Sequence, residues 1–196
     1  MKYNIKKIYG YLNRLLWRFI YKSRFKSLGK NSYFYKPILF TPFCIDCGNN
    51  VKIFKSSRIQ GVKKYNDNFF SPIIIFENNV TIQQNLHLTC ANSIVIGENT
   101  AIASNVTITD IHHPYENINI PIERQDIEVK EVIIGKNCKI YNNVVILPGV
   151  HIGNHVTIGA NSVVNKDLPD FCVAAGAPSK IIRQYNFDTA TWEKTN

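Results

Sequence analysis

Apolar positions in the C-terminal half of the chain recur at an interval that neither a helix nor a simple strand produces. Ile134, Ile140, Ile146, Ile152, Ile158 and Val164 are six branched aliphatics spaced by six. Four residues after each come Cys138, Val144, Val150, Val156, Ser162 and Leu168, mostly small or apolar. Gly135, Gly153 and Gly159 directly follow the aliphatic position, where the chain must turn. An amphipathic helix repeats its apolar residues at three and four, and a half-buried strand at two. A period of six, with one aliphatic and one small residue per unit, predicts a parallel β-helix. Each unit is one short strand and one corner, and three units close a triangular coil. The aliphatics stack inside it, and neighbouring coils hydrogen-bond at about 4.8 Å. The period gives the solenoid but not its hand.

The same register runs upstream. Phe76, Ile82 and Leu88 are six apart, with Val80 and Leu86 at the small position. Ile96, Ile102 and Ile108 follow after a two-residue slip, and Cys47, Ile53 and Ile59 form an earlier block. Three interruptions break it: residues 60–75, the slip at 89–95, and residues 111–131. Ile108 and Ile134 are 26 positions apart, not a multiple of six, so the last interruption is a loop extruded from the coil. It begins with two histidines and is rich in charge, and long loops on a repeat scaffold usually carry function.

Ahead of the repeat the pattern is helical. Within residues 3–22, Ile5, Ile8, Leu12, Leu15, Leu16, Phe19 and Ile20 follow three-and-four spacing, while Lys6, Lys7, Asn13, Arg14 and Lys22 fall largely elsewhere. The expected organisation is a basic amphipathic helical segment at 1–36, a β-helix catalytic domain at 37–176 and a C-terminal tail at 177–196. Charge sharpens this division. Residues 1–45 hold ten Lys or Arg and no Asp or Glu, leaving 13 basic against 14 acidic residues for the rest. The +9 of the whole chain therefore belongs to one end. That argues against a nucleic-acid surface spread over the fold and for a basic attachment device. Two readings of the helix stand: an interfacial helix on an anionic leaflet through residues 1–26, or a cap on the open end of the coil.

Composition changes the picture little. A 45% hydrophobic and 19% charged chain of 196 residues is a globular protein with a substantial core. No apolar run reaches the roughly 18 residues of a spanning helix, and no secretory signal peptide is evident, so a cytoplasmic location is expected. Five cysteines are odd in number, and reduced thiols are the expectation. Cys44-Ile-Asp-Cys47 lacks a second pair at zinc spacing, and no metal is expected.

The stretch Ile140–Arg183 contains Val-Val-Ile-Leu-Pro-Gly-Val-His-Ile-Gly, Ile-Gly-Ala-Asn-Ser-Val-Val-Asn-Lys-Asp-Leu-Pro and Ala-Ala-Gly-Ala-Pro-Ser-Lys-Ile-Ile-Arg. It resembles the hexapeptide-repeat acyltransferases, and most of all the branch of maltose, galactoside and surface-polysaccharide O-acetyltransferases. The resemblance spans roughly residues 28–185. It implies an all-β solenoid, a left-handed parallel β-helix, assembled as a homotrimer with clefts between subunits. It also implies acetyl transfer from acetyl-coenzyme A (acetyl-CoA) to a sugar or glycan hydroxyl, with one histidine as general base.

Thioester transfer needs a base of near-neutral pKa within hydrogen-bond reach of the acceptor, and histidine suits this. Of five histidines, His113 matches the family's catalytic residue: it opens the extruded loop and precedes Pro114. His112 is its competitor, but adjacent residues on an extended chain point oppositely. Asp110 either orients the His113 imidazole or simply forms a turn. Asn85 and His87 match an Asn-x-His of polysaccharide-modifying relatives and are candidate acceptor-sugar ligands; Asn85 reads equally as a corner residue in a left-handed conformation. His151 and His155 read as solvent-facing. By resemblance the coenzyme track comprises the backbone near Asn142 and Ala160, then Asn165, Lys166, Lys180 and Arg183, the cations serving its phosphates. Many relatives read Trp-Ile-Gly where this chain has Lys139-Ile140-Tyr141. Two rivals remain: a small-molecule or nucleotide-sugar acetyltransferase, and a non-catalytic β-helix scaffold.

Overall fold

A computed structural model describes residues 16–195. The chain winds through three parallel sheets in rotation, so each period-six aliphatic lands on the next face of a triangular coil. Face A stacks, in order, Ser27–Leu28, Ile45–Cys47, Ile73–Phe76, Ser93–Ile96, Val132–Ile134 and His151–Ile152. Face B stacks Tyr33–Phe34, Lys52–Ile53, Thr81–Ile82, Ala101–Ile102, Lys139–Ile140, Thr157–Ile158 and Cys172–Ala175. Face C stacks Leu39–Phe40, Arg58–Gly61, His87–Cys90, Thr107–Thr109, Val145–Ile146 and Val163–Val164.

The predicted register holds in space. Cys47, Phe76, Ile96, Ile134 and Ile152 form one buried column on face A, and Ile59, Leu88, Ile108, Ile146 and Val164 another on face C. The small positions, from Val51 through Val80, Val106 and Val144 to Val156, are fully buried at the corners. Gly135 and Gly153 are required by close stacking: a Cβ on Gly135 would lie 2.5 Å from the Gly153 carbonyl oxygen.

Two corners carry asparagine ladders. Between faces A and B, Asn31, Asn50, Asn79, Asn99 and Asn137 all adopt positive φ, each donating its carboxamide to the next. Between B and C, Asn85, Asn105, Asn143 and Asn161 do the same at 2.8–3.0 Å. Asparagine tolerates the left-handed region, and its amide both donates and accepts, so it satisfies itself along a stack.

Both ends depart from the expected domain limits. Ser27–Leu28 and Tyr33–Phe34 already pair with the next coil, so the solenoid includes residues assigned to the helical segment. The C-terminal residues are not a tail: Lys180–Asn186 and Thr191–Lys194 extend face B as antiparallel strands. Residues 1–15, which carry most of the predicted amphipathic helix, lie outside the described residues. Residues 16–21 are helical and close the coil. Trp17 stacks on the core residue Phe34, with ring centroids 5.8 Å apart, and meets Phe25 edge-on. The Arg18 guanidinium donates to the carbonyls of Gly29 and Ser32. Leu16, Phe19 and Ile20 remain exposed, Phe19 at 87%.

Candidate active site

All three breaks in the hexapeptide register fall at one corner, where the chain passes from face C to face A. The first is a hairpin pairing Lys64–Tyr65 with Asn68–Phe69. The second is the tight turn at Ala91 and Asn92. The third is the extruded loop, closed at its base by antiparallel pairing of Ile111–His112 with Glu128–Val129. A two-strand base stiffens the loop's root while its tip stays on the surface.

The two insertions meet. The Tyr65 hydroxyl donates to the Glu123 carbonyl at 2.8 Å and to Glu123 Oε2 at 3.0 Å. Asn66 Nδ2 donates to the carbonyls of Arg124 and Gln125. His113, near the root of the extruded loop, lies against the hairpin, half-buried, its imidazole in T-shaped contact with the Tyr65 ring at 5.4 Å. Its Nδ1 is buried without a hydrogen-bond partner among the described residues. His112 separates from it as expected of a neighbour on extended chain: it lies opposite Glu128 in the loop base and meets the Tyr115 ring edge-on.

Asp110 does not orient the imidazole. Its carboxylate is fully buried and accepts from the backbone N–H of Ala91 at 2.8 Å and of Asn92 at 2.7 Å, with the Cys90 thiol at 3.3 Å. The turn-forming alternative holds, because two orphan amides in the tight turn of the preceding coil claim the charge. Burial and the Asp110 carboxylate together push the Cys90 thiol pKa up.

Asn85 and His87 part company. Asn85, at φ +63°, is a rung of the B–C ladder, donating to Asn105 Oδ1 at 2.9 Å, so its side chain is engaged along the corner rather than held for a sugar. His87 faces outward on face C, in register with Arg58 and Thr107. Partial burial and then the Arg58 charge lower its pKa, favouring the neutral imidazole. Arg58 turns its guanidinium to Gln60 Oε1, and Thr89 stands between Gln60 and Thr109 in the row nearer the His113 corner. Sequence reasoning missed Tyr65, Glu123, Arg58 and Gln60. The Tyr-Asn-Asp-Asn run at residues 65–68 was a legible turn signal, but nothing local announces a contact across 58 residues.

The expected coenzyme residues fall in three places. Asn142 and Ala160 are exposed on successive coils at the B–C corner, where the Asn161 amide donates to the Asn142 carbonyl. Asn165 and Lys166 are exposed at the last C–A turn. Lys180 and Arg183 are exposed on the antiparallel strand, opposite Ala175 and Val173. Lys166, Lys180 and Arg183 form no ion pair among the described residues. His151 and His155 are exposed, His155 stacking on Phe171. The five cysteines are free and buried, and among the described residues no three His, Cys, Asp or Glu side chains converge as metal ligands.

Residues 131–166 match the bacterial transferase hexapeptide (six repeats) family model. The chain is 42% identical over 135 residues to the putative lipopolysaccharide biosynthesis O-acetyl transferase WbbJ of Escherichia coli K12, covering 65% of this chain and 69% of that protein. It is 32% identical over 167 residues to the galactoside O-acetyltransferase of the same organism, covering 84% of this chain and 66% of the other. The fold is shared with AntD, an N-acyltransferase from Bacillus cereus solved with dTDP and 3-hydroxybutyryl-CoA, at a TM-score of 0.70 and 23% identity, over 87% and 88% of the two chains. With its period-six core wound as a left-handed parallel β-helix, the chain belongs to the hexapeptide-repeat acyltransferases.

Proposed function

We propose that the protein is an acetyl-CoA-dependent O-acetyltransferase acting on a sugar hydroxyl of a bacterial surface polysaccharide or its precursor, with His113 as general base. The observation that carries this is the placement of His113 at the corner where, among the described residues, the repeat is interrupted, with its imidazole against Tyr65 of the neighbouring hairpin. Similarity to WbbJ supports the acceptor class. In this reaction the sugar oxygen attacks the thioester carbonyl carbon as the imidazole takes its proton. The tetrahedral adduct then expels the coenzyme thiolate, which recovers the proton from the imidazolium.

Asn142, Ala160, Asn165, Lys166, Lys180 and Arg183 form the coenzyme track in this reading, and their unpaired cations suit its phosphates. A homotrimer is supported by the outward row Ile75, Val95 and Ile133 on face A, apolar side chains aligned by register and half-buried in the single chain. Peripheral contact with an anionic membrane belongs to the same reading. Trp17 is spent on capping, while Leu16, Phe19 and Ile20 stand exposed just before Lys22, Arg24 and Lys26. Deleting residues 1–15 together with Phe19→Asp should release the protein from phosphatidylglycerol vesicles in cosedimentation and leave the thermal melt in place; unchanged binding defeats this part.

The main test is mass spectrometry of a glycan and sugar panel incubated with protein and acetyl-CoA. An acetyl mass shift stable to mild acid but removed by mild alkali marks an ester. Alkali-stable acetylation would make the enzyme an N-acetyltransferase, and no transfer or coenzyme binding would leave a scaffold.

A further inference from the structure

We propose that Tyr65 is a positioning residue for His113, and that the hairpin carrying it is a built part of the active site; this rests on the general-base reading of His113. A general base must present one ring nitrogen to the acceptor in a fixed direction, and that is ordinarily arranged by a hydrogen bond to the other nitrogen. Here that device is missing. Among the described residues the buried Nδ1 of His113 has no partner, and the acids three positions to either side are engaged elsewhere, Asp110 with the turn at Cys90–Asn92 and Glu116 with the Tyr115 backbone N–H. The imidazole must be held by packing.

Tyr65 is built to supply that packing. Its ring meets the imidazole at 77° with centroids 5.4 Å apart, a geometry that aromatic rings prefer. Its own orientation is fixed at the far end, where the hydroxyl donates to both the carbonyl and the carboxylate of Glu123. Asn66, at positive φ in the hairpin turn, adds two more bonds to the loop backbone at Arg124 and Gln125. Partial desolvation, then the Glu123 carboxylate, raise the Tyr65 pKa, so the phenol stays a donor across the working pH range. The hairpin thus clamps the extruded loop at one point and the base at another, through a single side chain. Through residues 58 positions apart in sequence, two insertions become one wall.

The experiment compares Tyr65→Phe, Tyr65→Ala and Glu123→Ala with the unaltered full chain. Side-chain nitrogen NMR follows His113, whose resonances are identified by their loss in His113→Gln, and steady-state kinetics gives kcat, KM and the pH profile. Tyr65→Ala is expected to shift the His113 resonances and their titration midpoint. It should lower kcat about 10-fold to 100-fold with KM for acetyl-CoA unchanged, the size of effect that misplacing a catalytic group produces. Tyr65→Phe and Glu123→Ala, which cut only the clamp at the loop, should move both readouts in the same direction by less. Unchanged His113 resonances with kcat within about twofold of the parent in Tyr65→Ala would overturn the proposal. Should that variant not fold, unchanged resonances and pH profile in both clamp variants overturn it equally. Because the NMR arm needs no turnover, a parent chain that transfers no acetyl counts against the general-base reading alone, and the His113 resonances still decide the role of Tyr65.

Discussion

The three corners of the coil are made from the same chain and join the same three sheets, yet they are chemically unlike. At the A–B and B–C corners, spacing is constant and the turning residue is repeatedly asparagine, each amide bonded to the one in the next coil. At the C–A corner the spacing varies, with a hairpin, a tight turn and a long loop in three successive coils. The comparison teaches a division of labour. A ladder spends its asparagine side chains on one another, so those amides are not held for a ligand. An interrupted corner exposes side chains that the repeat does not consume, and His113 is among them. A polar residue in this fold is therefore judged by whether its neighbours in the adjacent coils already use it.

That contrast can be broken at its strongest point first. His113→Ala should lower kcat by about 10²–10⁴ with little change in coenzyme binding by calorimetry. Burial and then the Arg58 charge lower the His87 pKa, so His87→Gln is expected to leave the acidic limb of the parent's kcat profile in place. If His112→Ala is inactive while His113→Ala keeps near-normal kcat, the assignment is reversed.

The next effect falls on stability. Asp110→Ala strips the partner from the buried Ala91 amide and from the part-buried Asn92 amide, a buried orphan being worth about 1–3 kcal/mol. A loss of several kcal/mol of stability is expected, visible as a Tm lower by roughly 10 °C. A full-strength Tm with abolished activity would mean that the carboxylate serves the reaction and not the turn.

The smallest effect tests the ladders. Asn105→Ala removes two rungs and places a Cβ-bearing residue without a local hydrogen bond at φ +61°, costing about 1–2 kcal/mol. Urea unfolding should register that loss while kcat stays within about twofold. Asn105→Gly should recover the backbone share only. A large fall in kcat would show that the B–C corner takes part in the chemistry after all.

Alkaline conditions give an independent check of the core. Burial pushes the Cys47 thiol up to about 12 and Cys172 to about 11. A folded-state pKa raised above the ordinary value of 9.0 contributes stability that is present below pH 9 and is lost as pH rises toward those values. Chemical denaturation at pH 8 and pH 10.5 should show the drop, and a thiol reagent at pH 8 should label the folded protein very slowly.

Sequence alone determined the solenoid, its register and the place of each interruption. A core one side chain wide per strand leaves the period as the only solution, and Ile134 through Val164 state that period six times. It also marked the loop that opens with His113, because a break in a strict repeat is visible without any structure. Tertiary structure alone decided which polar residues are free. Asp110 and Asn85 carry the right chemistry for a site, yet the turn at Ala91–Asn92 and the side chain of Asn105 claim them. Tyr65 reaches both His113 and Glu123 only because both insertions leave the same corner. The physical reason is one of range. Periodicity is a local property that a sequence writes directly, whereas hydrogen-bond partnership across coils is set by stacking, which joins Asn143 to Asn161, 18 positions on, and Asn99 to Asn137, 38 positions on.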